Sequence, residues 1–311
     1  SDAINNSGSI DTLNNSATIR GLNIAINNDW GQIANLINSG TIEAPQGVAI
    51  SNSGSSPFGT IASLTNTGTI TAYGNAINNS GTINTINNDA SGLIESANND
   101  AIFNSGTIDS MTNAGTITGL DSAINNSGTI NTLNNSGQIQ STTASLYAIT
   151  NSGTIGTLDN ANLIRGSGGI QVASGGAIGT LINSGSLETI DSFSSLIYNG
   201  GTITSILNTS TGVMQAQSGG VNGALIGVYS LQNAGTIGSI HNAGLMDGTV
   251  SNLGSIQTFT NTGTINPTPP IAWTFYGIEN GGSITALNNL QGAGNGAGAL
   301  TYTGVLPSNY N

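Results

Sequence analysis

Three features of the 311-residue sequence predict an all-β fold, a three-sided parallel β-helix of about 12 turns. First, a repeat written Asn-Ser-Gly-Thr-Ile, then two polar residues and a Leu or Ile, recurs along the chain, as at Asn79–Ile86 and Asn126–Leu133. Second, the glycines that open successive repeats are mostly about 22–25 residues apart, which fits one solenoid turn. Third, the chain contains 46 glycines but only 5% charged residues, a composition unlike that of a disordered chain.

The spacing of apolar residues predicts where each turn bends. Ile83 and Ile86 can both point inward only if the two polar residues between them turn a corner, because a straight strand sends residues i and i+3 to opposite faces. We therefore expect Thr-Ile to be a short strand, the next two residues a corner, and Asn-x-Gly another corner. Glycine and asparagine suit such corners because both tolerate a positive φ.

Stacking converts each position of the repeat into a column with about 4.8 Å between copies. One turn buries only about four apolar side chains, each worth roughly 1.5–3 kcal/mol, so neighbouring turns must complete the core. Two interior ladders are predicted: Ile10, Ile33, Ile61, Ile83, Ile108, Ile130 and Ile155, and Leu13, Leu36, Leu64, Ile86, Met111, Leu133 and Leu158.

Two columns of asparagine accompany the apolar ladders, one at each type of Asn-x-Gly corner. Side-chain amides in register can donate to one neighbour and accept from the other, so we interpret both columns as mainly structural. Their predicted members are Asn6, Asn52, Asn79, Asn104, Asn126, Asn151, Asn199, Asn233, Asn252 and Asn280, and Asn15, Asn38, Asn66, Asn113, Asn135, Asn183, Asn242 and Asn261.

Composition narrows the possible partners and location. Two basic residues against fourteen acidic ones give a net charge of −12, so nucleic acid is not an expected partner. The chain has no cysteine, and no apolar run is long enough to span a membrane. It opens within a repeat at Ser1–Ile4, so we expect a segment of a longer protein. We also expect that protein to be exported and to cross a membrane unfolded, which would explain the absence of disulfides.

The basic residues do not indicate catalysis. β-Helix lyases and glycosidases need a Lys, Arg or His beside acidic groups, or two carboxylates in one cleft. The chain has no Lys, and His241 falls in a solvated corner column. Arg20 precedes Glu43 by 23 residues, as Arg165 precedes Glu188, so each pair is predicted to form an ion pair between successive turns. We expect no enzyme activity.

Metal and cofactor motifs are not found in the sequence. The chain lacks the Gly-Gly-x-Gly-x-Asp repeat of calcium-binding β-rolls, and its nearest approach, Gly219–Gly223, contains no carboxylate. It also lacks a phosphate loop, zinc-ligand spacing and a nucleophile triad. We therefore expect no metal and no cofactor.

The repeats resemble a known family. The NSGTI and NAGTI motifs at Asn104–Ile108, Asn113–Ile117 and Asn233–Ile237 are similar to the passenger regions of Gram-negative autotransporter adhesins, and Leu300–Asn311 resembles the stretch before their C-terminal translocator barrel. The resemblance covers nearly the whole chain. It implies a right-handed parallel β-helix displayed on the cell surface, anchored to the outer membrane in the full-length protein, that promotes aggregation, biofilm formation or attachment.

The regular repeats divide the chain into two regions. Residues 1–266 are predicted to form β-helix repeats, and residues 267–311 an aromatic and Pro-rich insertion followed by the last turns. Within the repeats, Met214–Ser230 lengthens one turn. Long loops on a rigid scaffold often carry function, and aromatic rings can stack on a sugar or shield the exposed end of a solenoid. The aromatic residues of this alternative ligand loop are Trp273, Phe275 and Tyr276.

The function favoured by the sequence is self-association between copies on neighbouring cells, with surface glycans or proteins as other partners. A column of outward threonines should lie beside a column of polar corner residues, and a second copy could dock along them through many weak hydrogen bonds. The predicted stripe contains Thr82, Thr107 and Thr129 in one column and Asp11, Asn84, Asp109 and Asn131 in the other.

Two other functions stay open at this stage. A glycan-binding or glycan-cleaving β-helix would need a cleft with two acidic residues near Trp273. An ice-binding solenoid would need regular Thr-x-Thr rows, of which Thr69–Thr71, Thr116–Thr118 and Thr202–Thr204 are examples. Interruption of such rows, by Glu43 and Glu95 among others, counts against a regular ice face.

Overall fold

The computed structural model describes residues 2–54, 59–143, 147–190, 194–216, 229–266, 277–290 and 302–303. These residues form strands and turns, without a helix that could cross a membrane. The chain divides into two compact units, one of residues 1–143 and 148–156 and the other of residues 144–147 and 157–311. Both are three-sided parallel β-solenoids, and the described strands make about 11 turns. The predicted fold class is confirmed.

The first unit has three sides, here called A, B and C, and each turn contributes one strand to each side. Every strand pairs in parallel with its equivalent in the next turn. Side A contains Ile4–Asn6, Ile24–Asp29, Val48–Ser53, Ile77–Asn79, Ile102–Asn104 and Ile124–Asn126. Side B contains Ser9–Asn15, Gln32–Asn38, Thr60–Asn66, Thr82–Asn88, Thr107–Asn113 and Thr129–Asn135. Side C contains Thr18–Arg20, Thr41–Ala44, Thr69–Ala72, Leu93–Ser96, Thr116–Gly119 and Gln138–Ser141.

The second unit repeats this arrangement with more variable turns. Its side A contains Gly168–Val172, Ile197–Asn199, Tyr229–Asn233, Thr249–Asn252, Ile278–Asn280 and Tyr302–Thr303. Its side B contains Ala177–Asn183, Thr202–Asn208, Thr236–Asn242, Ser255–Asn261 and Ser283–Asn289. Its side C contains Leu163–Gly166, Ser186–Thr189, Val213–Gln215, Leu245–Asp247 and Thr264–Asn266. The strands Tyr147–Asn151 and Thr154–Asn160, which belong to sides A and B, contain residues of both units.

The core lies between the three sides and consists of ladders of identical or similar side chains. Ile83 pairs with Ile61 and Ile108, and Ile86 pairs with Leu64 and Met111. These side chains are fully buried, as are Ile77 of side A and Ile94 of side C in the same turn. The two apolar ladders predicted for side B are therefore confirmed. Stacking of like on like gives each buried side chain the neighbours that its own turn cannot supply.

The bend within side B differs from the expected corner. Thr82–Asn88 is one seven-residue strand, with no break between Ile83 and Ile86. The pairing passes from Ile83 and Ile108 to Thr85 and Ser110, skipping the residue between them. The strand therefore bends at this position without ending, and the bend allows residues i and i+3 both to face inward.

At most corners the glycine is required for a reason other than positive φ, although Gly59 has a φ of 66°. Gly106 has no positive φ, but a Cβ built on it would lie 2.1 Å from the carbonyl oxygen of Gly81 in the preceding turn. The same close approach recurs at Gly128 and Gly153. Thr107 donates its N–H to that oxygen of Gly81 at 2.9 Å, so this backbone bond brings the two corners together. Stacking, and not the turn itself, excludes a side chain.

Candidate functional site on side B

The asparagine columns form continuous hydrogen-bonded ladders inside the corners. Nδ2 of Asn104 donates to Oδ1 of Asn126 at 2.7 Å and to the carbonyl oxygen of Thr129 at 3.1 Å. Its Oδ1 accepts from Nδ2 of Asn79 at 2.7 Å. Asn104, Asn126 and Asn79 are fully buried, so their amides are not available to a ligand. The structural interpretation of these columns is confirmed.

Sequence reasoning missed several ladder members because their corners depart from Asn-x-Gly. Asn28 and Gly31 are separated by two residues, and Asn88 and Gly92 by three. A search for Asn followed by Gly within four residues would have found both of them. The additional members are Asn28, Asn88, Asn160, Asn208 and Asn289.

The predicted stripe lies on the outer face of side B in the first unit. Thr82, Thr107 and Thr129 are aligned in one column and are partly exposed. Asp109 and Asn131 occupy the adjacent bend column and are exposed, and Nδ2 of Asn131 donates to Oδ1 of Asp109 at 3.0 Å. The structure therefore brings the threonines together and joins two of the corner residues.

The bend column is not polar throughout. Asp11 and Asn84 also belong to it, but the two turns between them place Ala34 and Ala62 there. The polar stripe predicted from the sequence is thus interrupted by two methyl groups. Its continuous part begins at Asn84 and extends to Asn131.

A shallow groove of about 480 Å³ covers this interruption. It contains Ala34 and Ala62, and it is lined as well by Ile10, Ile33 and polar residues of the first four turns. Among the lining residues are three of the predicted stripe, Asp11, Thr82 and Asn84. The remaining stripe residues continue the same columns in the next two turns.

The face around the groove is polar but nearly uncharged. A third outward column of side B contains only Thr, Ser and Asn: Thr12, Asn35, Ser63, Thr85, Ser110 and Thr132. In the outward columns of side B in these six turns, only Asp11 and Asp109 are charged. The arrangement offers many hydroxyl and amide groups at a regular spacing of about 4.8 Å.

Trp30, which the sequence analysis did not select, stands at the corner that leads into side B. It is 53% exposed, and its φ of 60° is the only positive value for a non-glycine residue in the described part of the chain. A bulky residue in this region of φ is uncommon and costs about 1–3 kcal/mol. Its N–H donates to the carbonyl oxygen of Ser53 at 3.0 Å, which helps to hold this conformation. The corner continues directly into Gln32, a lining residue of the groove.

Both predicted ion pairs are present. Nη1 of Arg20 lies 3.3 Å from Oε1 of Glu43, and Nε of Arg165 lies 3.9 Å from Oε2 of Glu188. His241 is exposed at the end of a side B strand, and its Nε2 lies 3.3 Å from Oγ1 of Thr262. The arginines and the histidine therefore occupy the places predicted for structural residues.

Aromatic side chains gather on side A of the second unit. The ring of Tyr147 covers Gly168, where an added Cβ would lie 2.2 Å from Cε1 of the tyrosine. Burial, together with the nearby Tyr198, raises the pKa of Tyr147 to about 12. Burial also raises the pKa of Tyr229, with a further contribution from Glu279, whose own pKa is raised by burial. Such a face was not predicted; of its tyrosines, only Tyr229 falls in the lengthened turn Met214–Ser230 that the sequence singled out.

The aromatic loop that was predicted as an alternative site, with Trp273, Phe275 and Tyr276, lies outside the described residues. Most of the lengthened turn Met214–Ser230 does so as well.

Comparison of the chain with protein-family models, curated proteins and solved structures found no match in any of the three.

Proposed function

We propose that this chain is a surface-displayed, non-enzymatic adhesion protein that acts by self-association, with side B of its first unit as the contact face. The observation that carries the proposal is the groove on that side, which contains Ala34 and Ala62 and is bordered by polar, nearly uncharged columns. The resemblance of the repeats to autotransporter passengers supports display on the outer surface of a Gram-negative cell.

The chemistry of side B suits contact between like copies. Two copies of a chain with a net charge of −12 repel each other, and the repulsion is smallest where the meeting faces have few charges. Each hydrogen bond between Thr, Ser and Asn side chains contributes about 0.5–1.5 kcal/mol net. Many such contacts between two cells act together through multivalency. Trp30 adds an exposed aromatic group of the kind that often anchors interfaces.

Charge introduced along side B tests this proposal. A variant with Gln32→Glu, Thr82→Glu and Thr129→Glu places acidic groups on alternate turns of one outward column, which limits repulsion within one copy. Gln32 and Thr82 line the groove. Cells that display this variant are expected to clump far less than cells that display the parent chain. The measurement is the settling rate of cell suspensions, with surface display quantified by antibody labelling.

A matched control carries the same added charge on another side. Thr18→Glu, Thr69→Glu and Thr116→Glu place three acidic groups on alternate turns of side C. This control is expected to clump like the parent chain. Normal clumping by the side B variant, with normal display, would contradict the proposal, and so would equal loss in both variants.

Glycan binding is a second candidate function, favoured by the aromatic face of side A in the second unit. Tyr198 is aligned with Gln171 and Gln232 in one outward column, and Oγ of Ser195 donates to Oε1 of Gln232 at 2.8 Å. Tyrosines beside amide groups can stack on and hydrogen bond to a sugar. Loss of glycan-array binding in Tyr198→Ala, with retained folding, would support this function.

The ice-binding alternative gains little from the geometry. Thr69–Thr71 and Thr116–Thr118 lie on side C, whereas Thr202–Thr204 lies on side B. Between the two side C pairs, the register places Leu93 and Glu95. The threonine pairs therefore do not share one regular row.

A further inference from the structure

A column of exposed apolar residues runs along the corner between sides C and A of the first unit. Backbone hydrogen bonds fix the alignment of this column. The N–H of Tyr73 donates to the carbonyl oxygen of Ala44 in the preceding turn at 3.0 Å, and the N–H of Leu120 donates to the carbonyl oxygen of Ser96 at 3.2 Å. Leu22 is 46% exposed, Tyr73 52% and Leu120 38%. The apolar corner column consists of Leu22, Pro45, Tyr73, Ala97 and Leu120, one residue from each of five successive turns.

A depression accompanies the middle of this column. It has a volume of about 240 Å³ and is lined by Pro45, Tyr73 and Ala97 of the column, with Glu43 at its edge. An exposed apolar surface that extends over several turns is unusual in a chain with so few aromatic residues, and such surfaces commonly mark interaction sites.

Carboxylates border the apolar corner column on both sides. Glu43 and Glu95 occupy the outward column of side C, two residues before Pro45 and Ala97. On the side A border, Asp121 directly follows Leu120, and Asp100 lies close enough for the charge of Asp121 to raise its pKa, in addition to the larger effect of burial. Oδ1 of Asp100 accepts the N–H of Ser122 at 3.0 Å, so the carboxylate is held in place.

Positive charge is scarce at this corner. Arg20 is the only Arg or Lys in residues 1–143, and it lies beside the first turn of the column, 3.3 Å from Glu43. The column is therefore bordered by four carboxylates and one guanidinium. Three of the carboxylates, Glu95, Asp100 and Asp121, lie beside its last two turns. An occupant that covers the apolar residues would bring these carboxylates out of water, and a cationic occupant would compensate them.

We propose that the apolar corner column is a docking site for a cationic amphipathic helix. Five turns span about 19 Å, which corresponds to about 13 residues of α-helix. Side chains on one face of a helix recur at about 5–6 Å, close to the spacing of the turns. The backbone N–H groups of Tyr73, Ala97 and Leu120 already donate within the solenoid, so side chains, and not an added strand, must hold the partner. A second copy of the chain would bring the same carboxylates to the interface.

The test uses the whole chain and a synthetic helical peptide of roughly 14 residues with Leu on one face and Lys on the other. The parent chain is expected to bind this peptide, more weakly as salt increases, and not to bind a peptide with Glu in place of Lys. Tyr73→Ser combined with Leu120→Ser is expected to weaken binding at least about tenfold, measured by calorimetry, with circular dichroism unchanged.

A matched charge control separates the site from general attraction to an acidic chain. Glu95→Gln with Asp121→Asn is expected to weaken binding about tenfold, whereas Asp11→Asn with Asp109→Asn, which removes the same charge from side B, is expected to bind like the parent. Equal effects of the two pairs, binding of the Glu peptide, or full affinity of the serine variant would overturn the proposal. So would loss of self-association in the serine variant, measured by sedimentation, because it would identify a second copy as the occupant.

Discussion

Val172 pairs with Asn199 on side A of the second unit, at the position that asparagine occupies in most turns. Since valine offers no amide, Oδ1 of Asn199 accepts the N–H of Gly201, two residues later, at 3.3 Å. Asn6 does the same with Gly8 at 3.2 Å. In the asparagine ladder, each side chain therefore donates to the next turn and accepts from the preceding one. Where the preceding turn has no amide donor, the side-chain oxygen accepts a backbone N–H of its own corner.

This relationship predicts unequal effects for two substitutions. Asn104→Val removes the donor for Oδ1 of Asn126 and the acceptor for Nδ2 of Asn79, both buried, and is expected to lower the free energy of unfolding by about 2–4 kcal/mol. Val172→Asn supplies a donor to Asn199 and is expected to cost far less. Urea denaturation measures both. Equal losses would show that the amide bonds do not determine the cost.

The corner glycines give a second matched pair. Gly106→Ala would place a methyl group 2.1 Å from the carbonyl oxygen of Gly81, which a paired backbone cannot avoid without moving. We expect a loss of at least about 2 kcal/mol from this overpacking. Gly8→Ala has no atom within 4 Å of the added carbon and should be close to neutral. Thermal unfolding of the two variants checks the prediction, which a harmless Gly106→Ala would contradict.

The ion pair of Arg20 and Glu43 is expected to contribute little to stability. Both side chains are partly exposed, at 61% and 29%, so solvent screens their attraction. Glu43→Gln should change the free energy of unfolding by no more than about 1 kcal/mol, and a double-mutant cycle with Arg20→Gln should give a coupling that shrinks in high salt. A coupling well above this value, insensitive to salt, would mean that the pair is effectively buried.

Asp100 predicts a pH dependence with a definite sign. Burial and the charge of Asp121 raise its pKa above 3.8, against the hydrogen bonds from Asn125 and Ser122. The folded state therefore binds the proton more tightly than the unfolded state. The resulting stabilisation is fully present below about pH 3.8 and is lost as the pH rises through the folded pKa.

The measurement compares the parent chain with Asp100→Asn. The stability of the variant relative to the parent should increase as the pH rises through this window and then level off. The single substitution Asp121→Asn, with Asp100 intact, should lower the pKa of Asp100. NMR of the carboxyl carbon of Asp100 measures this pKa. A stability difference that is constant with pH would contradict the prediction.

The sequence by itself determined the repeat, and the repeat determined the solenoid. Isoleucine recurs at the position of Ile83 in successive turns, so the repeat alone predicted the partners of Ile83 in the core. The same regular spacing predicted the asparagine columns and both ion pairs. These features depend on the distance along the chain between copies, which is nearly constant. The ladder members that were missed, such as Asn28 and Asn88, have longer corners that disguise the period.

Only the tertiary structure decided how the surfaces are shaped. The groove depends on Ala34 and Ala62 coming between Asp11 and Asn84, and the corner glycines depend on the close approach of successive backbones. The apolar corner column became visible when Leu22, Tyr73 and Leu120, which share no local motif, were aligned by backbone hydrogen bonds. Core residues are specified by a period along the chain, whereas a surface is specified by which residues of different turns become neighbours across about 4.8 Å.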